Sequence, residues 1–316
     1  MSPVRILETT IRECDAGKRV ALCVVVATRG STPQPAGTML CLDETAKITG
    51  TLGGGCVEAD VRRRAHQSLS TRHSELLTFA LDNDFGFDDG MICGGQMDIA
   101  VRVLSPSDEL SPLRSACQRL GAGESALIPI QVAGKQGLLE YRIHLEAEPK
   151  LVIVGAGHIS RVLADMMVPL GFAVNVIDDR SDYANADRFP PPIRTTAGAI
   201  EKTLRSWPMD ANTFIAIVTR GHKHDEQALR AVIESPAKYV GMIGSRRKIK
   251  VIFDDLRHAG VSDARLETVH APIGLDIRSV TTHEIALSIA AELVSVRRAN
   301  GHRAVEGPIH ISTEST

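Results

Sequence analysis

Residues 151–180 read LVIVGAGHISRVLADMMVPLGFAVNVIDDR, and this stretch decides the fold of the C-terminal half. Leu151–Val154 is an unbroken apolar run with the length of a strand buried on both faces. Gly155 and Gly157 follow at once. The spacing of Ile159, Val162, Leu163 and Met166 predicts a helix with one buried face. Gly171 ends that helix, and Phe172–Ile177 predicts a second buried strand. Asp178 stands about 20 residues beyond the glycines, where a Gly-x-Gly nucleotide fold places a ribose-binding acid. Gly155 permits the tight turn, and Gly157 lets the backbone approach a pyrophosphate at the helix N-terminus. His158, next in line, either meets a bound phosphate or caps the helix. The third small position is Ser160, where the motif prefers glycine or alanine for close packing. Such a fold also keeps its shape when its nucleotide is lost, so a vestigial site stands as an alternative.

Beyond this stretch and within it, strands are expected at 151–154, 173–178, 193–196, 213–219 and 238–243, with a further one at 266–270. Helices are expected at 158–170, 199–206, 224–235, 246–259 and 282–299. This alternation predicts an α/β, Rossmann-like doubly wound parallel sheet, with ligands beyond the carboxyl ends of the strands. Two strand ends carry polar clusters. VTRGHKHD offers Arg220, His222, His224 and Asp225; IGSRRK offers Gly244, Ser245, Arg246 and Arg247. Ser245 and Arg246 at a helix start suit an anion; equally, Ser245 caps the helix and the arginines are solvated. His222 and His224, read at i and i+2 of a strand, point to opposite sides, which disfavours a metal. Thr281 and Glu284 form a capping box for the last helix.

The chain divides near Glu146–Lys150, where Pro149 interrupts it. Residues 1–148 then form a smaller mixed α+β domain, 149–300 the nucleotide-binding domain, and 301–316 a flexible tail. In the first half, Val20–Thr28 is a strand entering the turn-rich RGSTPQPAG. Hairpins are expected at 38–52 and 125–144, helices at 57–70 and 111–121, and strands at 75–81 and 97–104.

The 316 residues are 43% hydrophobic with a formal net charge of −2, so nothing points to nucleic acid or a membrane surface. No apolar stretch approaches the ~18 residues of a span, and the N-terminus lacks a signal-peptide core, which together predict a cytoplasmic protein. Six cysteines, none in a CxxC pair, fit free thiols of a reducing compartment. Cys23 and Cys117 read as core residues.

Two of the remaining thiols sit among glycines. GTLGGGCVEADV places Gly53, Gly54 and Gly55 before Cys56, at a strand-to-helix turn. Exposed amides and the helix dipole there suit an anion and favour a Cys56 thiolate; the plainer reading is a tight turn with an inert small residue. ICGGQMDIAV places Gly94 and Gly95 after Cys93. Those glycines allow close approach of a ligand or of another backbone, and a bulged turn before the next strand explains them equally well.

These blocks together resemble the XdhC/CoxI family of xanthine dehydrogenase accessory proteins. The resemblance rests on ATRGSTPQPAGTML (27–40), GTLGGGCVEADV (50–61) and CGGQMDIAV (93–101). LVIVGAGHIS, VIDDR, VTRGHKHD, YVGMIGSRRK and APIGLDI extend it through the second half. Gly37–Thr38 and Ser160 depart from the common pattern. The resemblance implies a two-domain molybdenum cofactor chaperone that is not itself an enzyme. Such a protein binds molybdopterin, protects it while its terminal sulfur is installed, and delivers it to a xanthine dehydrogenase-type molybdenum hydroxylase. It further implies a cysteine desulfurase as partner and a homodimer. On this reading Gly53–Cys56 and Cys93–Gly95 form the cofactor site, with Cys56 a candidate molybdenum contact. Gly155, Gly157, His158 and Asp178, with Ser245 and Arg246, hold NAD(P), another nucleotide or the nucleotide of a dinucleotide-form cofactor. The rival is an NAD(P)-dependent oxidoreductase using His222 or His224 as its acid, although no Tyr–Lys pair is present.

Overall fold

A computed structural model describes residues 2–81, 95–134, 137–299 and 304–311. The chain forms two compact units, Met1–Ala147 with His302–Thr316, and Glu148–Gly301.

The first unit contains α1 (Pro3–Asp15), β1 (Val20–Arg29), β2 (Met39–Asp43), β3 (Ile48–Gly50), α2 (Gly55–Thr71), β4 (Glu75–Ala80), β5 (Gln96–Leu104), α3 (Ser111–Gly121), β6 (Ala126–Gly134) and β7 (Gly137–Leu145). Its sheet runs β13-β7-β6-β4-β5-β1-β2-β3, where β13 (Val305–Ile311) is the last strand of the chain. The sheet is covered on both faces. Val20, Leu22 and Val24 pack with α1 and α3, while Ala21, Cys23 and Val25 pack with Val57, Val61 and Ala65 of α2. That double burial is why β1 reads as a continuous apolar run instead of an alternating one.

The expected flexible tail needs correction. Val305–Ile311 pairs antiparallel with β7, Val305 is buried in the core, and His144 Nε2 lies 2.8 Å from Glu306 Oε1. Pairing with a distant strand, not local periodicity, makes this segment a strand. Helix α1 is an addition to the expected elements; Ile6, Leu7, Ile11 and Cys14 form its buried face.

The second unit contains β8 (Lys150–Val154), α4 (His158–Met167), β9 (Ala173–Asp178), β10 (Arg194–Ala197), α5 (Ile200–Arg205), β11 (Thr213–Ile217), α6 (His222–Val232), β12 (Tyr239–Met242), α7 (Arg246–His258), α8 (Asp263–Leu266) and α9 (Thr282–Arg298). All five strands are parallel, in the order β10-β9-β8-β11-β12. Leu151 and Ile153 face α4 and α9; Val152 and Val154 face α5, α6 and α7. This is the doubly wound Rossmann-like sheet, and its direction of winding reverses between β8 and β11. The further strand expected at 266–270 is reduced to helix α8 and a single parallel bridge from His270 to Gly241. His222 and His224 lie in the first turn of α6, so the strand-based reading of their directions does not apply. Thr281 and Glu284 do form the capping box of α9.

Candidate functional site

The glycine–thiol turn of the first unit is built on left-handed backbone. Gly53, Gly54 and Gly55 have φ of +108°, +72° and +67°, values that side chains with a Cβ rarely adopt. Cys56 is exposed in the first turn of α2. The anion held by this turn is internal. Glu58 Oε2 accepts from Thr51 Oγ1 at 2.7 Å, Leu52 N at 2.8 Å and Gly54 N at 3.1 Å. Partial burial pushes the Glu58 pKa up, but these three donors outweigh it and hold the carboxyl below its ordinary value. The amides of Gly55, Cys56 and Val57 precede the first helical hydrogen bond and have no helical carbonyl to meet.

The second glycine motif converges on the same neighbourhood. A Cβ at Gly95 would stand 2.1 Å from the Ser31 carbonyl oxygen and 2.9 Å from that of Arg29. Close approach at this glycine is therefore backbone on backbone. A Cβ at Gly53 would stand 2.8 Å from Pro33 Cβ. The Ser31–Pro33 loop between β1 and β2 thus touches both Gly53 and Gly95, which are far apart in sequence. Cys93 and Gly94 lie outside the described residues.

In the second unit, Gly155 (φ +102°) is required by its surroundings, since a Cβ there would sit 2.7 Å from the Val218 carbonyl oxygen. Gly157 is the N-cap of α4, with nothing within 4 Å of an added Cβ, and His158 is exposed as the first helical residue. Ser160 is fully buried and its hydroxyl has no hydrogen-bond partner.

Asp178 lies at the end of β9, as the sequence places it, but it faces inward. Oδ2 accepts from Ala156 N at 2.7 Å and Arg180 Nη2 at 2.9 Å; Oδ1 accepts from Arg180 N at 3.0 Å and Arg180 Nε at 2.8 Å. Burial raises its pKa, while the Arg180 fork and the two amides overcome that and depress it strongly. In this arrangement the carboxylate expected to meet a ribose is engaged within the protein. Both oxygens are already committed to holding the glycine turn and Arg180. Its neighbour Asp179 is more accessible and lies 3.0 Å from Arg220 Nη2. Asp179, Ala199, His224 and Gln227 line a cleft of about 660 Å³ beyond the strand ends.

Ser245 Oγ accepts from Lys248 N at 3.3 Å, so the serine caps α7, and Arg246 is exposed beside it. The cation that turns inward is Lys248, which pairs with the fully buried Asp225; Thr219 Oγ1 donates to the same carboxylate at 2.6 Å. Lys248 does not stand out in the sequence, because its partner is 23 residues away. A further polar group gathers around Glu292. Tyr239 Oη donates to Oε2 at 2.5 Å, Gly274 N donates to it at 2.7 Å, and His270 Nδ1 is 3.1 Å from Oε1. Burial is again overcome by the hydrogen bonds from His270 and Tyr239, and the Glu292 pKa is lowered. This group fastens the APIGLDI segment to β12 and α9. Among the described residues, no cluster of three or more His, Cys, Asp or Glu forms a metal-binding group. Among them too, no helix is long and apolar enough to cross a membrane.

Comparison with known proteins yields two family matches, the XdhC and CoxI family over residues 14–80 and the XdhC Rossmann domain over 151–293. The uncharacterized protein YqeB of Escherichia coli is 28% identical over 278 residues, 88% of this chain; the match spans only 43% of YqeB. A probable xanthine dehydrogenase subunit from Bacillus subtilis is 22% identical, covering 89% of this chain and 94% of that protein. The molybdenum cofactor insertion chaperone PaoD of E. coli is 22% identical, covering 92% and 88%. A crystal structure described as a xanthine dehydrogenase of Bacillus halodurans superposes with a TM-score of 0.79 at 21% identity, over 95% of this chain and 96% of that one. At that identity the likeness is one of fold.

Proposed function

Because this chain belongs to the XdhC/CoxI family, we propose that it is a cytoplasmic maturation factor for a molybdenum hydroxylase. Its cargo is the molybdenum cofactor, which it shelters while a cysteine desulfurase supplies the terminal sulfur. It then passes the loaded cofactor to a xanthine dehydrogenase-type enzyme, working as a homodimer. The observation that carries this reading is the meeting of Gly53 and Gly95 on the Ser31–Pro33 loop, beside an exposed thiol at a helix start. The chemistry of the cargo fits those groups. Its phosphate suits the first-turn amides of α2 and the helix dipole. Its soft metal–sulfur end suits the Cys56 thiol. Cys93, Gly94 and Gly95 complete the cofactor site in this reading. Glu58 keeps the Gly53–Gly55 turn in shape by taking the Leu52 and Gly54 amides. In the second unit, Gly155, Gly157 and His158 hold a nucleotide, either NAD(P) or the nucleotide part of the cargo. Asp178 acts from beneath as the anchor of the turn.

The test is retention of molybdenum cofactor under anaerobic conditions, measured as molybdenum and pterin per chain after gel filtration. Wild type is expected to retain cofactor and Cys56→Ala to lose most of it. Equal retention by both proteins removes Cys56 from the site, and no retention by wild type removes the chaperone reading.

A further inference from the structure

Beside the turn between β8 and α4 lies a cation that no carboxylate of the described residues neutralises. Arg188 lies in the irregular segment between β9 and β10, and its Nη2 donates to the carbonyl of Ala156, the middle residue of the Gly-Ala-Gly turn, at 3.3 Å. Its position is set from two sides. The Arg188 amide donates to Asn185 Oδ1 at 3.1 Å, and the guanidinium carbon is 4.6 Å from the centre of the Tyr183 ring. Arg180 packs on the same ring at 3.6 Å, but its charge is matched by Asp178. Among the described residues Arg188 makes no ion pair, and its Nε is buried without a hydrogen-bond partner. A half-buried guanidinium with an orphaned donor is costly unless an anion completes it.

Taking the nucleotide reading of this unit as its basis, we infer that Arg188 is a phosphate-binding residue of the Gly155–Gly157 turn, specific for the diphosphate of a nucleotide. The fork geometry of a guanidinium suits two phosphate oxygens at once. The Tyr183 stack holds that fork at the turn, so little side-chain freedom is lost when phosphate arrives. The N-terminus of α4, which begins at the same turn, adds its own positive end. The neutralised Arg180 serves as the second layer of the stack.

The experiment is calorimetric titration of the full chain with ADP and, separately, with adenosine. Arg188→Gln is expected to weaken ADP binding roughly tenfold to a hundredfold, the range for charge-assisted hydrogen bonds, and to leave adenosine binding unchanged. Arg188→Lys keeps the charge without the fork and is expected to fall between wild type and Arg188→Gln for ADP. Unfolding followed by Trp207 fluorescence checks that each variant is folded. Undiminished ADP binding by folded Arg188→Gln overturns the inference, as does an equal loss for ADP and adenosine. Failure of wild type to bind either ligand overturns the nucleotide reading itself, and the inference with it.

Discussion

Asp178→Asn separates the internal role of this carboxylate from the ribose role that its position suggests. The substitution keeps the shape of the side chain but removes its charge and one of its two acceptor oxygens. The new NH2 group must then face either Ala156 N and Arg180 Nη2, or Arg180 N and Arg180 Nε, donor against donor in both positions. A hydrogen bond to a charged group contributes about 1.5–3 kcal/mol. Two such contacts to the Arg180 side chain are weakened, and one backbone amide risks being left unpaired. Arg180 is 28% exposed and regains some hydration, which reduces the total. The net loss is about 3 kcal/mol. Trp207 is the only tryptophan of the chain and packs in the second unit, so its fluorescence in urea reports this unit alone. With a slope of about 2 kcal/mol per molar, the midpoint is expected to drop by about 1.5 M. A shift below about 0.3 M, with the slope unchanged, refutes the claim that Asp178 anchors the turn.

Two further outcomes follow from buried charge and buried thiols. Asp178 and Glu292 both have folded-state pKa values below their ordinary ones. Their stabilisation is therefore complete above the unfolded values near 4 and is lost as pH falls through the folded ones. The urea midpoint of the second unit should hold between about pH 5 and 7 on this account and fall below about pH 4. The gap between wild type and Asp178→Asn should narrow over that acid range; a gap that widens there contradicts the assigned sign. Burial pushes the Cys14 thiol up to about 12 and the Cys41 thiol up to about 11, and also raises Cys23. Brief alkylation of the folded chain at about pH 8 should mark the exposed Cys56 and spare these three. Peptide mass spectrometry that finds Cys23 labelled as fast as Cys56 would contradict the packing of β1.

The fold of the second unit is largely legible because its signals are local. Leu151–Val154, the paired glycines and the alternation of apolar runs with periodic segments are each set within about 30 residues. Helix α1 is legible in principle from Ile6, Leu7, Ile11 and Cys14, although its stretch draws notice first as an N-terminus without a targeting core. Strand β13 is not legible. VEGPIHI has no strong pattern of its own and becomes a strand through pairing with β7. The site reads less completely than the fold. The glycines stand out because backbone conformation restricts residue type at their positions. Lys248, Arg188 and Glu58 do not, because charged residues are common and their meaning depends on the partner each one meets.

The sequence alone determined that a parallel nucleotide-type sheet follows a glycine–thiol half, since strand length, helix spacing and positive-φ glycine are properties of short stretches. The direction in which Asp178 faces is a matter of packing, because the Ala156 amide that it accepts from lies 22 residues away, in the turn after the neighbouring strand. Tertiary structure also brought Gly53 and Gly95 onto the Ser31–Pro33 loop, through strand pairings that join residues more than 60 positions apart. It is the same kind of non-local packing that leaves Arg188 beside the Gly155–Gly157 turn without a counter-charge among the described residues.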